Sequence, residues 1–154
     1  MNRIVIMRHA KAEKLAQTDH ERPLSDRGHE QAQQCANWIS ALPFAIESAI
    51  VSSSMRTTQT WKDLQLRCPV LTTDDAYNAG AEQWVHLIRE CAPDVENLLI
   101  IGHNPGVSDL AFAHGFASEL STGAAVVIEL AQTWQQFGLH DGQPKQSFVP
   151  ERVS

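Results

Sequence analysis

Residues 98–106 read Leu-Leu-Ile-Ile-Gly-His-Asn-Pro-Gly. Four apolar residues in a row, with no polar alternation, predict a strand buried on both faces, as in a parallel sheet. The residues that follow supply a helix start, with Asn104 as N-cap and Pro105 at the first helical position. The stretch therefore predicts a strand, a tight turn and a helix to about His114, with His103 at the strand's carboxyl end. Outward from it, the same unit recurs. Residues 2–7 form a β-branched strand that runs into Arg8-His9. Ser48–Ser52 is a second strand, followed by a helix from about Met55 to Leu66. Residues 69–72 give a brief third strand. Residues 11–24 are polar and proline-terminated, and read as a loop. Ser25 caps a helix to about Ala41, with Ala32, Cys35, Ala36 and Ile39 on one face. Trp84, Leu87, Ile88 and Cys91 give a helix over about 81–91 its apolar side. Ala124–Leu130 and Gln135–His140 read as two strands joined by a short turn, with a polar tail from about 142.

Strand and helix in alternation predict an α/β fold, a three-layer sandwich whose mainly parallel central sheet has helices on both faces. The last strand pair is expected to add an antiparallel strand. At 154 residues and 43% hydrophobic content the chain is expected to form one domain, 1–154, with no large cap insertion. Twelve Lys and Arg against eighteen Asp and Glu give a net charge of −6, which argues against nucleic acid as a partner. No apolar run approaches the roughly 20 residues that span a bilayer, so no membrane association is expected. The chain passes from Met1 straight to the short first strand, unlike a signal peptide. Cys35, Cys68 and Cys91 fit neither a disulfide framework nor a zinc motif, which points to a cytoplasmic protein. Without an evident interface stripe, a monomer is expected.

Ligands of an open α/β sheet bind beyond the carboxyl ends of its strands. Three such ends carry cations or imidazoles: Arg8-His9; Ser52-Ser53-Ser54-Met55-Arg56-Thr57; and Gly102-His103-Asn104. Two arginines and two histidines are thus expected on one edge, beside helix N-termini. That combination suits a tetrahedral phosphoryl group. Guanidinium forks hold phosphate oxygens, and helix N-termini add oriented N–H groups. A neutral imidazole can attack phosphorus there, because the cations neutralise the developing charge. Its second ring nitrogen is expected to donate to a backbone carbonyl, which fixes the tautomer. Each segment also has a bland reading. Arg8-His9 alone reads as an exposed or hydrogen-bonded pair, and Gly102–Gly106 as a turn feeding a helix. Their convergence is what favours the functional reading.

Arg8-His9-Ala10, Ser52 to Thr60 and Gly102-His103-Asn104-Pro105-Gly106 resemble the three signatures of the histidine phosphatase superfamily, with its phosphoglycerate mutase-like fold. Ala10 replaces the more common glycine, and Ser53 stands where many members carry proline. Arg22-Pro23-Leu24-Ser25-Asp26-Arg27-Gly28, Ala36-Asn37-Trp38 and the lack of a cap resemble the short SixA-type phosphohistidine phosphatases. The likeness covers roughly residues 2–130. It implies that His9 is the phosphate-accepting nucleophile and that Arg8, Arg56 and His103 are the other catalytic and substrate-binding residues. It also implies that the reaction uses no cofactor or metal. His9 and His103 have no third ligand at a recognisable spacing for zinc. Arg22 reads either as a substrate-binding rim contact or as a pin for its own loop.

Relatives that hydrolyse phosphate esters use a carboxylic acid to protonate the leaving oxygen, and Glu82 is the candidate here. An acid in the first helical turn also simply stabilises the helix dipole. Imidazole leaves with less help than an alkoxide, and an uncapped pocket admits a side chain displayed on another protein. Both points favour a phosphorylated protein as substrate, such as a histidine phosphotransfer domain carrying phosphohistidine. The alternative is a small phosphorylated metabolite, a sugar phosphate or nucleotide, hydrolysed as a phosphomonoester. A third reading is an inactive module that recognises a phosphorylated partner, although a pure binder needs no nucleophile.

Overall fold

The apolar runs become strands in the computed structural model, which describes residues 1–151. They are β1 (Asn2–Arg8), β2 (Ser48–Ser52), β3 (Val70–Thr73), β4 (Asn97–Gly102) and β5 (Ala125–Leu130). A further strand, β6, covers Gly142–Phe148. The sheet order is β3-β2-β4-β1-β5-β6. The first four strands run parallel, while β5 is antiparallel to both of its neighbours. Ile6 pairs with Ile100, and Ile100 with Ile50, so the carboxyl ends of β1, β4 and β2 finish side by side.

Side chains leave the strands alternately to the two faces, as a buried sheet requires. Ile4, Ile6, Leu98, Ile100 and Ile50 pack with Trp84, Ile88, Val107 and Leu110 of α3 (Ala81–Arg89) and α4 (Gly106–Ala113). Val5, Met7, Leu99, Ile101 and Val51 pack with Cys35 and Ile39 of α1 (Asp26–Ser40) and Leu64 of α2 (Met55–Leu64). The three layers are those of an α/β sandwich. Ser25 and Ser54 cap α1 and α2 by accepting from the N–H groups of Gly28 and Thr57. Among the described residues, no helix is long and apolar enough to cross a membrane.

The C-terminal part differs from the sequence expectation. Gln135–His140 forms no strand; Trp134–Gln136 is a 3-10 turn instead. Its aromatic residues are anchors, with Trp134 and Phe137 both buried. The Trp134 indole N–H donates to Val95 O at 2.6 Å, and Arg89 Nε donates to Phe137 O at 2.7 Å. Nor is the segment from 142 a tail, because β6 zips along β5. Its polarity suits an edge strand with one wet face, and Pro144 sits beside a register shift opposite Val127 and Ile128. Phe148, its one large apolar residue, stacks on Trp38 at 5.6 Å.

The start of α4 also differs. Its first residue is Gly106, and Asn104 does not cap it. The Asn104 side chain instead accepts from Ser108 Oγ at 2.6 Å and donates to Leu120 O at 2.8 Å, tying down the segment before β5. Gly106 lies so close to the neighbouring backbone that a Cβ there would come 1.9 Å from Ala79 O. Gly106→Ala is therefore expected to cost about 1–3 kcal/mol of stability. Urea denaturation checks this, and an unchanged midpoint would contradict it.

Candidate functional site

The edge formed by β1, β4 and β2 carries the four residues singled out in the sequence. His9 follows β1, with its backbone clamped on both sides. Its N–H donates to Gly102 O at 3.0 Å, and its carbonyl accepts from Gly123 N–H at 2.9 Å. Ala10 then donates its N–H to Thr60 Oγ1 at 3.0 Å, and that hydroxyl donates to Arg56 O at 2.7 Å. One threonine of α2 thus fixes the His9 turn relative to Arg56. Ala10 is fully buried and is not among the residues of positive φ, so this turn does not need glycine's freedom. Ser53 donates its N–H to Thr73 O at 3.2 Å, a bond that proline could not make.

The imidazole of His9 is 7% exposed, and its Nδ1 lies 2.7 Å from Ala10 O. A carbonyl only accepts, so Nδ1 carries the proton and Nε2 keeps its lone pair. Burial pushes the pKa of His9 down to about 4, with Arg56, Arg8 and Arg22 adding to the effect. The ring is therefore neutral at physiological pH. Desolvation is the larger cause, and the arginines add to it.

His103 lies beside it, with the two ring centroids 5.3 Å apart. Arg56 Nη2 is 3.2 Å from His103 Nδ1, and Ser52 Oγ is 2.8 Å from His103 Nε2. A guanidinium only donates, so Nδ1 is the acceptor and the Nε2 proton goes to Ser52. Burial, then the neighbouring His9 and Arg56, hold the His103 pKa down at about 3. Arg8 donates from Nη1 to Leu120 O at 3.3 Å. The Nε groups of Arg8 and Arg56 are both buried and have no hydrogen-bond partner. Unpartnered buried donors on two cations are what an incoming oxyanion would satisfy.

The structure brings Arg8, His9, Arg56 and His103 together, but not the other two candidates. Arg22 holds its own loop, with Nε donating to Asp19 Oδ1 at 3.1 Å and Nη1 to Glu13 O at 3.1 Å. It reaches His9 only through its field. These bonds make Arg22 a pin for its own loop, one of the two roles the sequence left open. Glu82 faces a cleft with Val85, His86, Arg89 and Gly138–His140, on the outer side of α3. Its place in the first turn suits the helix dipole.

Three residues beside the four come from segments 11–22 and 77–82, which the sequence places at the pocket rim without giving them roles. Asp19, in a 3-10 turn over Asp19–Glu21, accepts from Arg56 Nη2 at 3.1 Å. The Tyr77 hydroxyl donates to the same carboxylate, and the Tyr77 ring stands edge-on to His103 at 5.5 Å. The hydrogen bond from Tyr77, with Arg56 and Arg22 nearby, holds the Asp19 pKa at about 2. His20 bonds Ser53 Oγ at 3.0 Å and meets Tyr77 edge-on. The one visible hint was Asp19 three residues before Arg22. Among the described residues no group of three or more His, Cys, Asp or Glu is arranged to hold a metal ion.

A sheet with phosphate-suited side chains at its parallel strand ends defines a class of phosphoryl-handling α/β proteins, and comparison narrows it. The family model described as histidine phosphatase superfamily (branch 1) matches residues 4–98, and the chain belongs to that family. An uncharacterised protein of Mycobacterium tuberculosis is 31% identical over 134 residues, covering 86% of this chain and 84% of its own. A Nakamurella multipartitia structure described as a candidate phosphohistidine phosphatase SixA superposes with a TM-score of 0.89 at 21% identity. That superposition covers 97% of this chain and 96% of the other. The protein histidine phosphatase SixA complexed with tungstate gives a TM-score of 0.77 at 24% identity, covering 96% and 97%. Both are likenesses of fold.

Proposed function

We propose that the protein is a phosphohistidine phosphatase that removes the phosphoryl group from a phosphorylated protein through a phospho-His9 intermediate. The observation that carries this is the His9 ring: neutral, anchored through Nδ1 to Ala10 O, and flanked by two buried guanidinium Nε–H groups without partners. Phosphoryl oxygens accept from Arg8 and Arg56. The His9 Nε2 lone pair forms a bond to phosphorus as the bond from phosphorus to the substrate nitrogen breaks. The substrate ring departs as neutral imidazole, its other nitrogen already carrying a proton. Water then attacks the phosphorus of phospho-His9, the electron pair of the broken N–P bond returns to Nε2, and the water proton leaves with phosphate. Tungstate, bound by a protein of the same fold, is a tetrahedral oxyanion of the kind such a pocket accepts.

The choice of phosphohistidine over an ester rests on acids. An alkoxide leaving group needs a proton. Asp19 is held ionised beside the pocket, and Glu82 lies in another cleft. Imidazole does not need that help. The ester reading keeps one foothold: Glu119 is exposed, stands close enough to Arg8 to stabilise its charge, and accepts from Asn104 Nδ2 at 3.4 Å.

A turnover panel of phosphohistidine protein, phosphoramidate and common phosphomonoesters decides between them. The expected result is preference for the phosphorus–nitrogen substrates, with Glu119→Gln changing their turnover less than threefold. Faster turnover of an ester, lost selectively in Glu119→Gln, would overturn the assignment in favour of a small metabolite. Tight vanadate binding with no turnover on any substrate would point to a recognition module instead.

A further inference from the structure

Arg56 offers five N–H groups on a planar guanidinium, and their directions are fixed relative to one another. Its terminal edge is taken by a single residue: Nη1 donates to the Asp19 backbone carbonyl at 2.9 Å, and Nη2 to the Asp19 carboxylate at 3.1 Å. The second N–H of Nη2 goes to His103 Nδ1 at 3.2 Å. In a planar guanidinium that hydrogen lies on the same edge as Nε–H. The unpartnered, buried Nε–H of Arg56 therefore points to the side where His103 lies. We infer that Asp19 is the positioning residue of the oxyanion site: by gripping the terminal edge of Arg56 it turns the Nε edge toward the phosphoryl group.

The surroundings fit that role. The Asp19 carboxylate is itself held from two further directions, by Arg22 Nε at 3.1 Å and by the Tyr77 hydroxyl. Those donors come from the loop after β1 and the segment after β3, so the grip on Arg56 is braced from both sides of the pocket. The backbone carbonyl of Asp19 also accepts from Arg22 N–H at 3.2 Å, which fixes its direction, while Thr18 caps only the start of the turn, accepting from Glu21 N–H. The inference rests on reading the pocket as a phosphoryl site, and it deepens that reading.

Charge and position make opposite forecasts here, which gives a clean test. Asp19 is an anion next to the place a phosphate dianion would occupy. By Coulomb's law alone, removing it should tighten phosphate binding. If Asp19 aims Arg56, removing it should loosen phosphate binding, because the Nε edge is no longer held. Calorimetric titration of the full chain with inorganic phosphate is the measurement. Asp19→Ala is expected to weaken binding about tenfold and to lower kcat/KM on phosphoramidate by about 10–100-fold. Asp19→Asn, whose amide oxygen still accepts from Nη2, is expected to recover at least half of the phosphate affinity on a logarithmic scale. Thr18→Val loosens the turn without touching Arg56, and is expected to stay within about twofold of wild type. In an Arg56→Lys background, Asp19→Ala is expected to have less than a third of its logarithmic effect, since an ammonium has no edge to aim. Unchanged or tighter phosphate binding in Asp19→Ala would overturn the inference. So would a loss in Thr18→Val as large as that in Asp19→Ala, which would assign the effect to loop order. A wild-type protein that binds no phosphate would overturn the phosphoryl site itself, a result distinct from either.

Discussion

His9→Ala is expected to lose turnover by about 10⁴–10⁶-fold on phosphohistidine protein and phosphoramidate, the scale seen when a covalent nucleophile is removed. Rapid quenching of the wild type with radiolabelled substrate should leave acid-labile, base-stable label on the protein, and His9→Ala should carry none. The geometry separates His9 from its neighbour in this experiment. His103 has both ring nitrogens engaged, Nδ1 by Arg56 and Nε2 by Ser52, whereas His9 uses only Nδ1. His103→Ala should therefore slow turnover by about 10²–10³-fold, as for a lost oxyanion donor, yet still become labelled. His9 is nearly buried, so the alanine variant needs a check of fold. His9→Gln fills more of the space and should be equally inactive while binding inorganic phosphate within about tenfold of wild type. Full turnover in either variant, or label that survives the loss of His9, would remove His9 from the nucleophile's role.

The central four strands and the helices between them were legible because one physical signal sufficed for each. Leu98–Ile101 and Ile4–Met7 are apolar without alternation, and only a strand covered on both faces buries every one of those side chains. The register of β1, β4 and β2 then brings Arg8, His103 and Ser52 to one edge. That is why residues as far as 95 apart in sequence, Arg8 and His103, could be read as one site.

What was not legible shares a different cause. The polarity of β6 suits an edge strand, and an edge strand looks like a tail until its partner is known. Phe137 and Leu139 alternate with their neighbours in a strand-like way, yet Trp134 and Phe137 serve as buried anchors of a 3-10 turn. Asn104 has the chemistry of a cap, but its side chain is drawn to Leu120 O and Ser108 by tertiary contacts. Asp19 and Tyr77 are 58 residues apart on irregular backbone, where no periodicity operates. Loop chemistry of this kind depends on where two loops meet, which spacing alone does not encode.

Acid should weaken the protein before it reaches the carboxylate range. His9 titrates near 6.5 when unfolded and near 4 when folded. Between those values the unfolded chain binds a proton that the native ring refuses, so stability falls as pH falls. The contribution is present in full above about pH 6.5 and is lost as pH drops through about 4. At pH 5 the loss from His9 alone is about 2 kcal/mol relative to pH 7.5, and His103, held near 3, acts in the same direction. Asp19 acts only lower down, because its depressed pKa sheds stability between its ordinary range and about 2. Urea midpoints at pH 7.5 and 5 therefore isolate the imidazoles, and His9→Gln should flatten the difference by the His9 share. Bound phosphate should oppose this effect at His103. An oxyanion between Arg56 Nη2 and His103 Nδ1 replaces their 3.2 Å hydrogen bond and rewards a proton on Nδ1. The His103 pKa should then rise by about 1–3 pH units, while His9 stays neutral at pH 7 in the free protein. NMR titration of the two rings, with and without phosphate or vanadate, reads both. A free His9 titrating above 7, or a His103 indifferent to the anion, would contradict the division of labour between them.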